Sequence, residues 1–94
     1  MEFEFDAGKS AQNLAKHGID FSSVQALWQA PHVVAPARTT GDEPRWLVVG
    51  KLGDKHWTAV VAVRGDRTRI ISVRRSRPEE RQAYEEHRGH CSGG

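Results

Sequence analysis

Arg69-Ile70-Ile71-Ser72-Val73-Arg74-Arg75-Ser76-Arg77-Pro78-Glu79-Glu80-Arg81 begins as a buried strand and ends as a surface helix, with arginines crowding the junction. The β-branched residues Ile70, Ile71 and Val73 favour an extended backbone. Ser76-Arg77-Pro78-Glu79 then reads as a capping box: Ser at the cap, Glu three residues on, and Pro in the first turn, where its missing amide does no harm. The spacing predicts a helix from about Arg77 to His87, with residues 90 to 94 frayed. Arginine suits such a corner only if its charge meets something, so the cluster is either a solvated face or a site for anions.

Working outward, three more β-rich runs precede this strand, at His32 to Ala37, Arg45 to Lys51 and His56 to Arg64. Gly53-Asp54 and Gly65-Asp66 mark turns, which predicts an antiparallel meander. In the strand ending at Arg64, Trp57, Ala59, Val61 and Val63 share one face and read as core; Thr58, Val60, Ala62 and Arg64 share the other. Register decides what joins them, because a one-residue slip exchanges the faces. Pairing Arg64 with Thr68 puts Arg64, Ile70, Ser72 and Arg74 on the open face and sends Ile71 and Val73 to the core. Pairing Arg64 with Arg67 instead sets Arg74 beside Trp57. The first register keeps the larger apolar set together and is the one expected.

Toward the N-terminus, Phe3-Glu4-Phe5 alternates as a short strand, and Asp6 caps a helix from about Ala7 to His17. Its apolar positions Ala11, Leu14 and Ala15 fall at helical spacing, and Gly18 is placed to end it in the left-handed conformation. Asp20 or Ser22 caps a second helix carrying Val24, Leu27 and Trp28, closed by Pro31. The order strand, two helices, four strands, helix predicts an α+β domain. It combines an antiparallel sheet of about four strands and a short N-terminal strand with two N-terminal helices and one C-terminal helix. The helices cover one sheet face and leave the other open. Residues 1–88 form the single domain expected, with 89–94 a flexible tail.

At 94 residues, 37% of them apolar, the chain supports one core and no second domain. A lone cysteine, Cys91, excludes a disulfide framework, and no apolar run approaches the length of a membrane span, so the cytosol is the expected compartment. The net charge of +2 hides an uneven distribution. Residues 64 to 77 hold Arg64, Arg67, Arg69, Arg74, Arg75 and Arg77 against Asp66 alone, a local field that favours phosphate-bearing or acidic partners.

Other chemistries find little support. His87, His90 and Cys91 sit in the expected tail and lack the spacing of a zinc site, so no metal or other cofactor is expected. Gly50-Lys51-Leu52-Gly53 reads as a turn rather than a nucleotide cradle, and no G-x-S-x-G elbow is present. The arginines remain. An RNA-cleaving site can be built from them, with guanidinium forks holding a scissile phosphate while a base and an acid move protons. Arg64 and Arg74 are the first candidates for that phosphate, with Lys16, Arg45, Arg69 and Arg75 as further contacts. His17, Glu43 and Tyr84 are the candidates for proton transfer. Each also has a plain structural reading: a helix end, a loop decoration and a core plug.

Phe3-Glu4-Phe5-Asp6 with Lys9, Asn13, Lys16-His17-Gly18, Asp20-Phe21, Glu43-x-Arg45, Arg64, Arg69-Ile70-Ile71-Ser72-Val73-Arg74 and Glu80-Arg81 with Tyr84 together resemble the BrnT family of bacterial toxins. The resemblance runs in order from about residue 3 to 84. The family usually has Trp where this chain has Phe5, and Ala where it has Val73, both apolar exchanges that bear on packing. The resemblance implies a RelE-like fold and a metal-independent ribonuclease that halts translation. It also implies a BrnA-like ribbon-helix-helix antitoxin, through which the complex would bind operator DNA. In-line attack by the 2′-hydroxyl would leave a 2′,3′-cyclic phosphate and a 5′-hydroxyl. Two readings of other classes stand beside this one: a non-catalytic basic module that docks RNA or an acidic protein, and a structural subunit of a DNA-binding complex whose basic groove the antitoxin fills.

Overall fold

The computed structural model describes residues 2–37 and 43–93, the side chains of 88–93 excepted. Among them five strands form one sheet: β1 (Glu2–Glu4), β2 (His32–Pro36), β3 (Arg45–Leu52), β4 (Lys55–Arg64) and β5 (Arg67–Arg75), in the order β1-β5-β4-β3-β2. The meander from β2 to β5 is antiparallel, as its turns require. Gly53 and Gly65 open the two tight turns with φ of 64° and 63°, values an L side chain resists. The short N-terminal strand β1, whose direction the sequence leaves open, lies parallel to β5, pairing Glu2, Phe3 and Glu4 with Arg67, Thr68 and Arg69, so the sheet is mixed. Gly50 is not a turn residue. It lies inside β3, where a Cβ would come within 2.9 Å of the Leu27 side chain, so glycine there lets the second helical segment approach the sheet.

The β4–β5 hairpin uses both registers. From the turn inward, Arg64 faces Arg67, Val63 faces Thr68 and Val61 faces Ile70; the next pair is Val60 with Ser72, so Ile71 is a bulge. One extra residue in one strand reverses which side chains face inward beyond it. Ile70 and Val73 are therefore the core residues, at 2% and 0% exposure, whereas Ile71 is only partly buried; the expected pairing of Ile71 with Val73 in the core is corrected. Arg74 still faces Thr58, as in the preferred register, and Arg75 is the residue opposite Trp57. Of the four expected core residues of β4, Trp57, Ala59 and Val61 are buried, while Val63 is 47% exposed.

Helix α1 (Ala7–His17) is capped by Asp6, whose carboxylate accepts from the Lys9 amide at 3.0 Å, and ends at Gly18 with φ of 85°. Its docking surface is not the apolar stripe read from spacing: Ala11, Leu14 and Ala15 are exposed, and the buried residues are Ser10 and Asn13. Ser10 Oγ accepts from the Phe21 amide, and Asn13 Nδ2 donates to the Ile19 carbonyl. Asn13 Oδ1 also accepts from the Val73 amide. β1 pairs with β5 only as far as Arg69, and Asn13 serves a backbone donor of β5 beyond that limit. Helix and strand are thus joined by matched hydrogen bonds rather than by apolar area.

The second helical segment, Ser23–Gln29, is a 3-10 helix rather than an α-helix, with the Ser23 amide donating to Asp20 Oδ1 at 2.7 Å. Phe21, Val24 and Leu27 from this region meet Val48, Trp57, Ala59, Val61, Ile70 and Val73 in one core. Helix α2 runs from Pro78 to Gly93, past the expected end near His87; Gly94 and the side chains of the expected tail lie outside the described residues. Its cap is one residue later than the sequence suggested. Arg77 precedes Pro78, and Glu80, not Glu79, reaches back to the Arg77 amide at 2.7 Å. Glu80 also accepts from Thr58, which alternates with core residues Trp57 and Ala59, so α2 lies over the opposite sheet face. The expectation that every helix covers one face is corrected: among the described residues, the second face is covered at its Thr58 end and open at its Arg64 end.

Candidate functional site

The open end of the second face is built by cross-strand pairing. Arg45 on β3 and Arg69 on β5 both pair with Ala62, which is fully buried beneath them, and Arg64 is two residues further along β4. Three arginines from three strands therefore meet there. Arg64 Nε lies 2.9 Å from the Glu43 carboxylate and its Nη1 lies 3.9 Å from Glu4. Arg67 lies 3.4 Å from Glu2 and 3.9 Å from Glu4. The idea that the arginine window lacks local compensation is corrected, because acids distant in sequence supply it. Arg45 and Arg69 have no ion pair among the described residues, and both line one recess with Asp6, Lys9, Glu43, Ile70 and Ile71.

A second cleft adjoins this recess, lined by Lys9, Gln12, Asn13, Lys16, His17, Phe21, Ile71 and Ser72. Lys9 and Ile71 border both, so the bulge and the first turn of α1 form a shared wall. This brings Lys16 and His17 to the same side of the molecule as Arg45 and Arg69.

Arg74 and Tyr84 belong to a different construction. Arg74 donates through both Nη atoms to both oxygens of Glu80, at 2.7 and 2.8 Å, a bidentate pair at side-chain exposures of 25% and 11%. The guanidinium fork, with further donors at Thr58 and the Arg77 amide, holds the Glu80 carboxyl down at about 2; the same pairing raises Arg74. Thr58 Oγ1 also bonds Ser76 Oγ at 2.8 Å. Tyr84 is buried and meets His56 edge-on at 5.5 Å, and His56 Nε2 lies 3.0 Å from Glu85. These contacts pin α2 to the sheet. Arg75 points to the first face, its guanidinium 5.5 Å from the Trp57 ring.

Of the sequence candidates, the fold gathers Arg64, Glu43, Arg45 and Arg69, sets Lys16 and His17 alongside, and separates Arg74, Tyr84 and Arg75. Sequence reading gave no site role to Glu80, which has four donors, or to Lys9, whose position three residues after the Asp6 cap was the available signal. It also overlooked an apolar trough on the first face, lined by Trp28, Val34, Trp46, Val48, Val61, Val63 and Thr68. Among the described residues no three His, Cys, Asp or Glu side chains are grouped to hold a metal ion; the side chains of His90 and Cys91 lie outside them. No helix among them is long and apolar enough to cross a membrane.

No curated protein sequence matches the chain. A family model does, across residues 5–80, and its description is ribonuclease toxin, BrnT, of type II toxin-antitoxin system. That span includes every strand from β2 to β5, all of α1, the recess with Glu43, Arg45 and Arg69, and the Glu80 lock. The chain belongs to the BrnT family of ribonuclease toxins of type II toxin-antitoxin systems.

Proposed function

We propose that this chain is a metal-independent endoribonuclease of the cytoplasm that inhibits translation by cleaving RNA, with its site at the open end of the second sheet face. The observation that carries the proposal is that Arg45, Arg69 and Glu43 line one recess, with the Arg64 guanidinium 2.9 Å from Glu43. Guanidinium groups fixed by strand backbone suit the charge that develops on a phosphate during transfer. Glu43, held beside the Arg64 guanidinium, removes the 2′-hydroxyl proton; the 2′-oxygen attacks phosphorus and the bond to the 5′-oxygen breaks. His17, on the adjoining cleft, gives that oxygen a proton, and the products are a 2′,3′-cyclic phosphate and a 5′-hydroxyl. Lys16 contacts a neighbouring phosphate. Arg74 and Tyr84, first considered as catalytic residues, enter this proposal as the support of α2, and Arg75 as a partner of Trp57.

Membership of a type II family brings an RNA substrate and an antitoxin. We propose a BrnA-like ribbon-helix-helix protein in the latter role, covering the arginine recess and contacting operator DNA on behalf of the complex. The acids that neutralise Arg64 and Arg67 favour one competing reading, a non-catalytic subunit with a weak basic field. Purified chain incubated with RNA in EDTA separates the two. Cleavage with cyclic phosphate and 5′-hydroxyl ends supports the proposal, whereas intact RNA, or cleavage only with magnesium, overturns it.

A further inference from the structure

Arg45 is partly buried and its Nε is wholly buried, yet that atom has no hydrogen-bond partner among the described residues. Buried donors are nearly always satisfied, and a charged donor left without an acceptor is costly. The recess it lines encloses about 150 Å³, below the ~300 Å³ at which pockets for drug-sized ligands begin. A nucleotide is too large for it; one phosphate group is not. Three cations, Lys9, Arg45 and Arg69, line the recess with two carboxylates, and each carboxylate already has a partner: the Arg64 guanidinium, 2.9 Å away, for Glu43 and the Lys9 amide for Asp6. The cations keep donors to spare, and no acceptor among the described residues fills the space between them.

We infer that this recess is a seat for a single phosphate dianion, held by Arg45, Arg69 and Lys9, and that free inorganic phosphate occupies it and competes with RNA. The competition rests on the ribonuclease reading; the binding does not. A water oxygen would satisfy Arg45 Nε but would leave three cations around a neutral group, whereas a phosphate offers each of them an oxygen. Lys9 becomes a binding residue, placed by the Asp6 cap that fixes the first turn of α1.

The test is a titration of the isotope-labelled full chain with inorganic phosphate at constant ionic strength, followed by backbone amide NMR, with sodium chloride as the control for screening. Saturable shifts at Lys9, Arg69 and Ile70 are expected, weakened at least about tenfold by Lys9→Gln and by Arg45→Gln, and unchanged by Arg75→Gln, with tenfold matching loss of one charge-assisted contact. Lys9 is exposed on α1, so its variant keeps the test alive if Arg45→Gln does not fold. No saturable shift, shifts equalled by chloride, or undiminished affinity in Lys9→Gln overturns the seat. RNA cleavage in EDTA is followed in parallel. Phosphate binding without cleavage keeps the seat and removes the ribonuclease reading, and cleavage that phosphate does not inhibit overturns the competition.

Discussion

Two arginine–glutamate pairs stand at opposite ends of the second sheet face, and they are built differently. Arg74 and Glu80 are joined by two short hydrogen bonds, mostly out of water, with Thr58 and the Arg77 amide also serving the carboxylate. Arg64 and Glu43 share one short contact at side-chain exposures of 54% and 41%, and Glu43 borders a recess whose cations Lys9, Arg45 and Arg69 have no ion pair among the described residues. In the first pair the carboxylate is served by four donors, and its removal leaves charge stranded under α2. The second is weak, solvated and oriented toward open space. Arginine beside glutamate is therefore not one motif: burial and the remaining partners decide whether the pair holds the fold or faces a ligand.

The largest effect expected at the open end is on chemistry. Glu43→Gln keeps the shape and removes the base, and should lower RNA cleavage by about 10²- to 10⁴-fold with a melting temperature close to that of the parent. At the closed end the largest effect is on stability. Glu80→Ala strands Arg74, and breaking a largely buried pair of this kind costs on the order of 2–3 kcal/mol after allowance for its partial exposure, a fall in melting temperature of roughly 10 °C or more. The same pair predicts an acid response. Glu80 is lowered from 4.5 to about 2, so its contribution is present above pH 4.5 and is lost as pH falls toward 2. The stability difference between the parent and Glu80→Gln, followed by urea unfolding, should therefore shrink across that window.

Smaller effects sharpen the contrast. Asn13→Ala orphans the Val73 amide and the Ile19 carbonyl, costing about 2 kcal/mol by chemical denaturation, although Asn13 makes no ion pair. Arg64→Ala should change stability by less than about 1 kcal/mol, as exposed pairs do.

What could be read in the sequence was local. Asp6, Gly18, Gly53 and Gly65 announce their caps and turns because a single residue's conformational or hydrogen-bonding need decides each. The bulge at Ile71 could not be read, since two arginine-flanked registers compete and the fold adopts each in one half of the hairpin. The docking of α1 through Ser10 and Asn13 was hidden because periodicity registers apolar residues, and here the helix turns its few apolar residues outward. At the site, the basic character of residues 64 to 77 was visible, but its compensation was not. Glu2, Glu4 and Glu43 reach Arg64 and Arg67 only through the parallel pairing of β1 and the return of β3. Which arginines remain available is a property of topology.

The most direct test of the division of labour is the RNA cleavage rate, in EDTA, of Arg64→Ala beside Arg74→Ala, at a temperature where circular dichroism shows both folded. Loss of a preorganised donor to the transferring phosphate is worth about 10²- to 10³-fold. The account predicts a loss of that size for Arg64→Ala and a rate within about threefold of the parent for Arg74→Ala, three being small against a lost catalytic contact. A full rate in Arg64→Ala with loss in folded Arg74→Ala would contradict it.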